Sequence, residues 1–166
     1  MKKILFLIVL GCSCMNILAQ SREGLDLIRK AEAGDTDSQY QLSIYYRIGW
    51  EEYGIPQNEL RGNKWLLKAA TNGHTKAQCD LGNAYERGGY GFPKDYNEAL
   101  KWLLKSANGG DCRGMFHLGL FYYYDKKDKE QAIFWVKKCI DTERRKSGDV
   151  NETAVEFLKK LGVENY

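Results

Sequence analysis

Small, apolar and polar residues recur along this chain with a long period. Ser38, Leu42, Ser43, Tyr46, Asn58 and Trp65 are followed by Ala77, Leu81, Gly82, Tyr85, Asp95 and Trp102, and then by Gly114, Leu118, Gly119, Tyr122, Asp128 and Trp135. Consecutive tryptophans of the series stand 37 and 33 residues apart. Repetition on that scale marks stacked supersecondary units, because one unit cannot bury its own apolar face. Within each unit the small residue, Leu and Tyr fall at i, i+4 and i+8, which places them along one helical face. A second helix carries Ala99, Trp102, Leu103 and Ala107, with Gly62, Trp65, Leu66, Ala70 and Ala132, Trp135, Val136, Ile140 as counterparts. Glycine inside a helix costs about 1 kcal/mol against alanine. Its recurrence at 82 and 119 therefore predicts close approach of a neighbouring helix. Asn72-Gly73-His74 and Asn108-Gly109-Gly110-Asp111 separate the pairs with residues suited to helix ends.

The pattern predicts an all-α chain with helix pairs at about 35–72, 73–109 and 110–141. Leu27 to Gly34 has the form of the end of an earlier second helix. A closing helix is predicted over about 151–161, with Asn151 as its cap ahead of Ala154, Val155, Leu158 and Leu161.

The runs Ala77 to Tyr85 (AQCDLGNAY), Gly89 to Asp95 (GYGFPKD) and Glu98 to Gly109 (EALKWLLKSANG) resemble the Sel1-like repeat, a relative of the tetratricopeptide repeat. The resemblance covers about 31–140 and implies an α/α solenoid of helix-turn-helix repeats with terminal half-repeats. Repeat three departs from the pattern, because Tyr122 to Asp128 (YYYDKKD) lacks the Gly-rich loop. In related solenoids the first helices line a concave face. That implies candidate partner-binding positions at Gln41, Ile44 and Ile48, at Asp80, Asn83 and Arg87, and at His117, Leu120 and Tyr124. Aromatics outside the repeat phase extend the set: Tyr45, Tyr123, and Trp50 and Tyr53 in the first loop. Packing within the stack is an equal reading for Ile44 and Leu120.

The N-terminus changes the picture. Lys2 and Lys3 precede the apolar run Ile4 to Leu10, and the segment breaks toward Asn16-Ile17-Leu18-Ala19-Gln20. A basic start, a short apolar core and a small residue describe a secretory signal peptide at 1–19, too short to span a bilayer. Residues 20–166 then form one repeat domain, exported to the periplasm or secreted. The alternative is a lipoprotein signal at 1–11, since Val9-Leu10-Gly11-Cys12 resembles a bacterial lipobox. It would make Cys12 a lipid anchor and the only link to a membrane. Removing Lys2 and Lys3 takes the basic count to 23 against 22 acidic residues. That balance gives no electrostatic footprint for nucleic acid. The Arg144-Arg145-Lys146 run suits a helix C-terminus and a solvated linker.

Of five cysteines, Cys12 and Cys14 lie in the leader, leaving Cys79, Cys112 and Cys139. Three thiols allow at most one internal bridge. A cysteine-rich branch of the resembled family pairs a cysteine near each second-helix end with one opening the next helix. Ala70 and Ala107 occupy the first of those positions here, so the chain departs from that branch. Cys112 with Cys139 is the pair available within repeat three, and small buried side chains are the preferred reading.

Candidate chemistry is sparse. His74 falls in a turn and His117 in a first helix, neither with a second ligand at metal spacing. Asn58, Asp95 and Asp128 each precede a second helix, where a capping role accounts for them. No nucleophile elbow and no phosphate-binding loop is present. No enzyme activity, metal or cofactor is expected. The function expected is an exported scaffold that binds a protein or peptide. The rival is a hydrolase of cell-wall-like or lactam substrates, an activity the cysteine-rich branch implies.

Overall fold

A computed structural model describes residues 22–148 and 150–164; the leader at 1–19, the cleavage point after Ala19 and Cys12 lie outside the described residues. Eight helices occupy the described residues: α1 (22–32), α2 (Thr36–Ile48), α3 (Glu59–Thr71), α4 (Thr75–Arg87), α5 (Tyr96–Asn108), α6 (Cys112–Tyr124), α7 (Lys129–Ser147) and α8 (Glu152–Lys160). Among those residues no helix is long and apolar enough to cross a membrane. The chain divides into two compact units between Asn72 and Gly73. The first holds α1 to α3, the second α4 to α8.

Every helix from α2 onward begins on a side-chain cap that satisfies a backbone N–H left open at a helix start. Asn58 accepts from the Arg61 N–H (2.9 Å), Asp95 from Asn97 (2.8 Å) and Glu98 (3.1 Å), Asp128 from Gln131 (2.9 Å) and Asn151 from Ala154 (3.0 Å). The carboxamide and carboxylates singled out in the sequence are thus structural. First helices use Asp35 to Ser38 (2.7 Å), Asp111 to Gly114 (2.9 Å) and, at the equivalent place, His74, whose Nδ1 accepts from Ala77 at 3.0 Å.

A second recurring bond closes each pair. The N–H of the capping residue donates to the carbonyl of the repeat tyrosine: Asn58 to Tyr46 (2.6 Å), Asp95 to Tyr85 (2.9 Å) and Asp128 to Tyr122 (2.9 Å). The connecting segments differ in length, 49–58, 88–95 and 125–128, yet begin and end on the same bond. Loop length is thereby uncoupled from helix packing, because a longer closed excursion costs little extra entropy. In the first loop, Trp50 and Ile55 exchange backbone hydrogen bonds (2.6 and 3.0 Å) around a short 3-10 turn, and Ile55 is fully buried.

In unit 1 the core is Ala31, Leu42, Tyr46 and Ile55, with Trp65 half-buried at its rim. Fully buried Gln39 ties that core together, donating to the Ala31 carbonyl (3.0 Å) and accepting from Asn72 Nδ2 (3.0 Å). In unit 2 one cluster gathers Leu103, Met115, Leu118, Phe121 and Trp135, and a second joins Val136 and Ile140 to Phe157 and Leu158 of α8 and to Leu161 just past its end. Trp102 and Trp135 are 6% and 7% exposed. Their equivalent Trp65 is more open than its phase predicts.

The recurring glycines sit where helices touch. A Cβ on Gly82 would lie 2.8 Å from Leu103 Cγ, and one on Gly119 would lie 2.5 Å from Val136 Cγ2. Repeat one has Ser43 in that position and moves the glycine across the contact: a Cβ on Gly62 of α3 would meet the Ser43 carbonyl at 2.9 Å. Repeats two and three carry Ala99 and Ala132 at the Gly62 position. One member of each facing pair stays a glycine, whichever helix supplies it.

α7 runs past the expected end near 141 to Ser147. It places Arg144, Arg145 and Lys146 in its last turn and stops on left-handed Gly148. The basic run sits at a helix C-terminus as expected, with no part of it in a linker, and cations there complement the helix dipole. Lys146 also reaches back, donating to the Gly110 carbonyl at 2.9 Å.

Candidate partner-binding faces

Each of the two units presents its own first-helix face. On α2, Gln41 and Ile48 are exposed, while Ile44 and Tyr45 are half-buried. Tyr45 is spent partly on an internal column: its ring lies 4.0 Å from Trp50, which stacks 3.7 Å from Tyr53. The column packs on the unit 1 core, so these loop aromatics brace the loop.

The α4 and α6 face of unit 2 is polar and charged. Asp80 and Asn83 are half-buried and Arg87 is exposed on α4; His117 and Leu120 are half-buried and Tyr124 is 49% exposed on α6. Helical spacing puts each trio on one side of its helix. Arg113, one turn before His117, crosses between the helices. Its guanidinium donates to Asp80 Oδ1 at 3.1 Å and to the Lys76 carbonyl at 3.0 Å. Sequence reasoning passed over Arg113 because its partner lies 33 positions away on another helix.

Burial pushes the His117 pKa below the ordinary value of 6.5, and the Arg113 and Arg87 guanidiniums push it further down against Asp80 and Asp111. The imidazole is therefore neutral at neutral pH. Asn83 donates to Cys79 Sγ at 3.8 Å, while its buried Oδ1 meets no protein donor. Burial raises the Cys79 thiol to about 12, so it behaves as a small apolar side chain. Leu120 packs against the α7–α8 cluster, and Tyr124 leans on Phe157 with ring centroids 6.4 Å apart.

Two features of the second helices went unread although both are local and lie at fixed offsets from the repeat tryptophan. A lysine three residues after each repeat tryptophan lies over its indole: Lys68 at 4.7 Å from Trp65, Lys105 at 4.3 Å from Trp102 and Lys138 at 4.5 Å from Trp135. The Trp102 Nε1–H donates to Glu98 Oε2 at 3.0 Å, whereas Gln131 stands four residues before Trp135 and that indole nitrogen has no acceptor among the described residues.

The family model described as Sel1 repeat matches residues 36–74, 75–111 and 112–138, which correspond to the three helix pairs. The chain belongs to the Sel1 repeat family. Members of that family typically act as protein–protein interaction scaffolds and are generally non-enzymatic. Among solved structures, a Sel1 repeat protein from Oxalobacter formigenes is 29% identical with a TM-score of 0.69, over 84% of this chain and 98% of that one. The protective antigen c5321 of uropathogenic Escherichia coli, which displays the same repeat fold, is 26% identical with a TM-score of 0.66. That match covers 84% of this chain and 32% of the antigen, so the chain spans about a third of its length. No curated protein matches at the sequence level. The all-α solenoid of Sel1-like helix pairs expected from the sequence is the fold class of the chain.

Proposed function

We propose that this Sel1 repeat protein is an exported adaptor that binds a protein or peptide partner through its first-helix faces, without catalysing a reaction. The observation that carries the reading is the α4–α6 face. There Arg113 and Asp80 link the two helices, while Arg87 and Tyr124 remain exposed. Such a pairing of aromatic and cationic groups suits a peptide or protein segment that presents an acidic or aromatic side chain. Gln41, Ile44 and Ile48 provide the corresponding face on α2. Export rests on the basic start and apolar run at 2–10, with release after Ala19 as the preferred route and a lipid on Cys12 as the alternative.

The test uses the mature chain from its native envelope fraction, whose intact mass shows a start at Gln20 or an acylated Cys12. Cross-linked capture is then compared for wild type, Arg87→Ala and Tyr124→Ala. Both residues are exposed, so stability should shift by only about 0.5 kcal/mol or less. Captured partner should fall with both variants, whereas Leu81→Ala should lower the melting temperature first. His117 is a poorer probe, because half-burial makes its replacement a packing change as well. Undiminished capture by Arg87→Ala and Tyr124→Ala would sink the assignment of this face.

A further inference from the structure

Three donor side chains converge at the turn that opens the third repeat. Cys112 begins α6, while Cys139 and Glu143 stand four residues apart on one face of α7. The two sulfurs and a carboxylate oxygen of Glu143 all lie within 4.8 Å of one another. Cys139 is fully buried and the other two are half-buried. Both cysteines are free thiols. The preferred sequence reading made them small buried side chains, with a Cys112–Cys139 pair as the alternative; 27 positions separate the two.

We infer that Cys112, Cys139 and Glu143 form a zinc-binding site with three protein ligands and a fourth position open to water. Two soft thiolates with one carboxylate suit Zn2+ rather than Mg2+ or Ca2+, which take oxygen ligands. Three such donors require only modest closure to reach a tetrahedral ion, given zinc–ligand distances of roughly 2.0–2.3 Å. A neighbouring cation offsets part of the ligands' charge as well. Two thiolates and a carboxylate around a divalent ion leave one negative charge, and the Lys146 ammonium, held on the Gly110 carbonyl, lies near enough to Cys112 to act on it electrostatically. Asp111, whose carboxylate caps α6 through the Gly114 N–H, adds a further negative charge near both thiols that favours a divalent cation there. Bound metal would tie the first turn of α6 to the C-terminal half of α7. That end of the helix pair lies away from the 125–128 link, so the clamp would stabilise repeat three by binding only the folded form.

The experiment uses the full chain carrying Cys12→Ser and Cys14→Ser, which removes competing thiols, kept reduced and titrated with Co2+ and then Zn2+. The expected result is about one equivalent of Co2+ with sulfur-to-cobalt charge-transfer absorption and a tetrahedral spectrum, displaced by Zn2+. The melting temperature should rise with Zn2+ concentration. Glu143→Gln and Cys112→Ser, both at half-buried positions, should abolish the charge-transfer band or weaken Zn2+ binding by more than about 100-fold, beyond an outer-shell effect. Absence of stoichiometric binding, an octahedral cobalt spectrum, or parent-like affinity in Glu143→Gln overturns the site. So does a Cys112–Cys139 disulfide that forms in air and persists in excess Zn2+. If Cys112→Ser does not fold, the Glu143→Gln variant decides.

Discussion

Replacing Gly82 with alanine sets two known effects against each other. Filling a helical glycine should gain about 1 kcal/mol from backbone propensity. The new methyl, however, would sit 2.8 Å from Leu103 Cγ, 3.0 Å from Leu103 Cδ2 and 3.1 Å from the Leu103 backbone nitrogen. Cδ2 is a terminal methyl, but Cγ is the branch point of a fully buried side chain and the nitrogen belongs to the α5 helix, so neither of those two can swing away. Relief requires α4 and α5 to separate by a few tenths of an ångström along their whole contact. Overpacking of this kind costs about 1–3 kcal/mol, so the clash should exceed the propensity gain and leave Gly82→Ala less stable by about 1 kcal/mol. In a chain of this length that is a fall in melting temperature of roughly 2–4 °C. Urea unfolding of wild type, Gly82→Ala, Leu103→Ala and the double variant separates the two effects. Leu103→Ala alone should cost about 2–5 kcal/mol, and less in the Gly82→Ala background, because trimming Leu103 removes part of the clash. A Gly82→Ala protein more stable than wild type by the full propensity gain, or zero coupling with Leu103, would refute the close-approach argument.

Gln131→Glu should stabilise the protein by about 1 kcal/mol, since it replaces a neutral amide acceptor that the Trp135 indole does not engage with a charged carboxylate of the kind Glu98 presents to Trp102; an unchanged urea midpoint would count against that reading. Glu86 is half-buried, and burial first, then the Asp125 carboxylate, raises its pKa above the ordinary 4.5. The folded chain therefore holds this proton more tightly than the unfolded chain, so stability is full below pH 4.5 and falls as pH rises through the raised value. Glu86→Gln should raise the melting temperature at pH 7, with the gain vanishing below pH 4.5; a gain independent of pH would rule out the titration as its cause.

The helix pairs were legible because periodicity, capping and helix-end chemistry are local. Leu42, Leu81 and Leu118 recur in phase with one helical face, and Asn58, Asp95, Asp128 and Asn151 announce helix starts by side-chain type alone. The glycine rule was half legible. Gly82 and Gly119 signalled a close contact, but the exchange with Gly62 appears only when the two helices of repeat one are seen face to face. Of the candidate binding positions, phase placed them on a face without showing which ones the fold had already used. Tyr45 turned out to brace a loop, and Asp80 to hold Arg113.

What the sequence determined alone is the repeat, its helical period, its capped boundaries and its family resemblance, all carried by residues within a few positions of one another or repeated at a fixed interval. Tertiary structure decided the bond from each cap residue to the repeat tyrosine carbonyl, the Arg113–Asp80 pair and the meeting of Cys112, Cys139 and Glu143. Most of these depend on where separate helices come to rest against each other. Helix packing is set by side-chain volume summed over a whole contact surface, whereas capping and periodicity are set residue by residue.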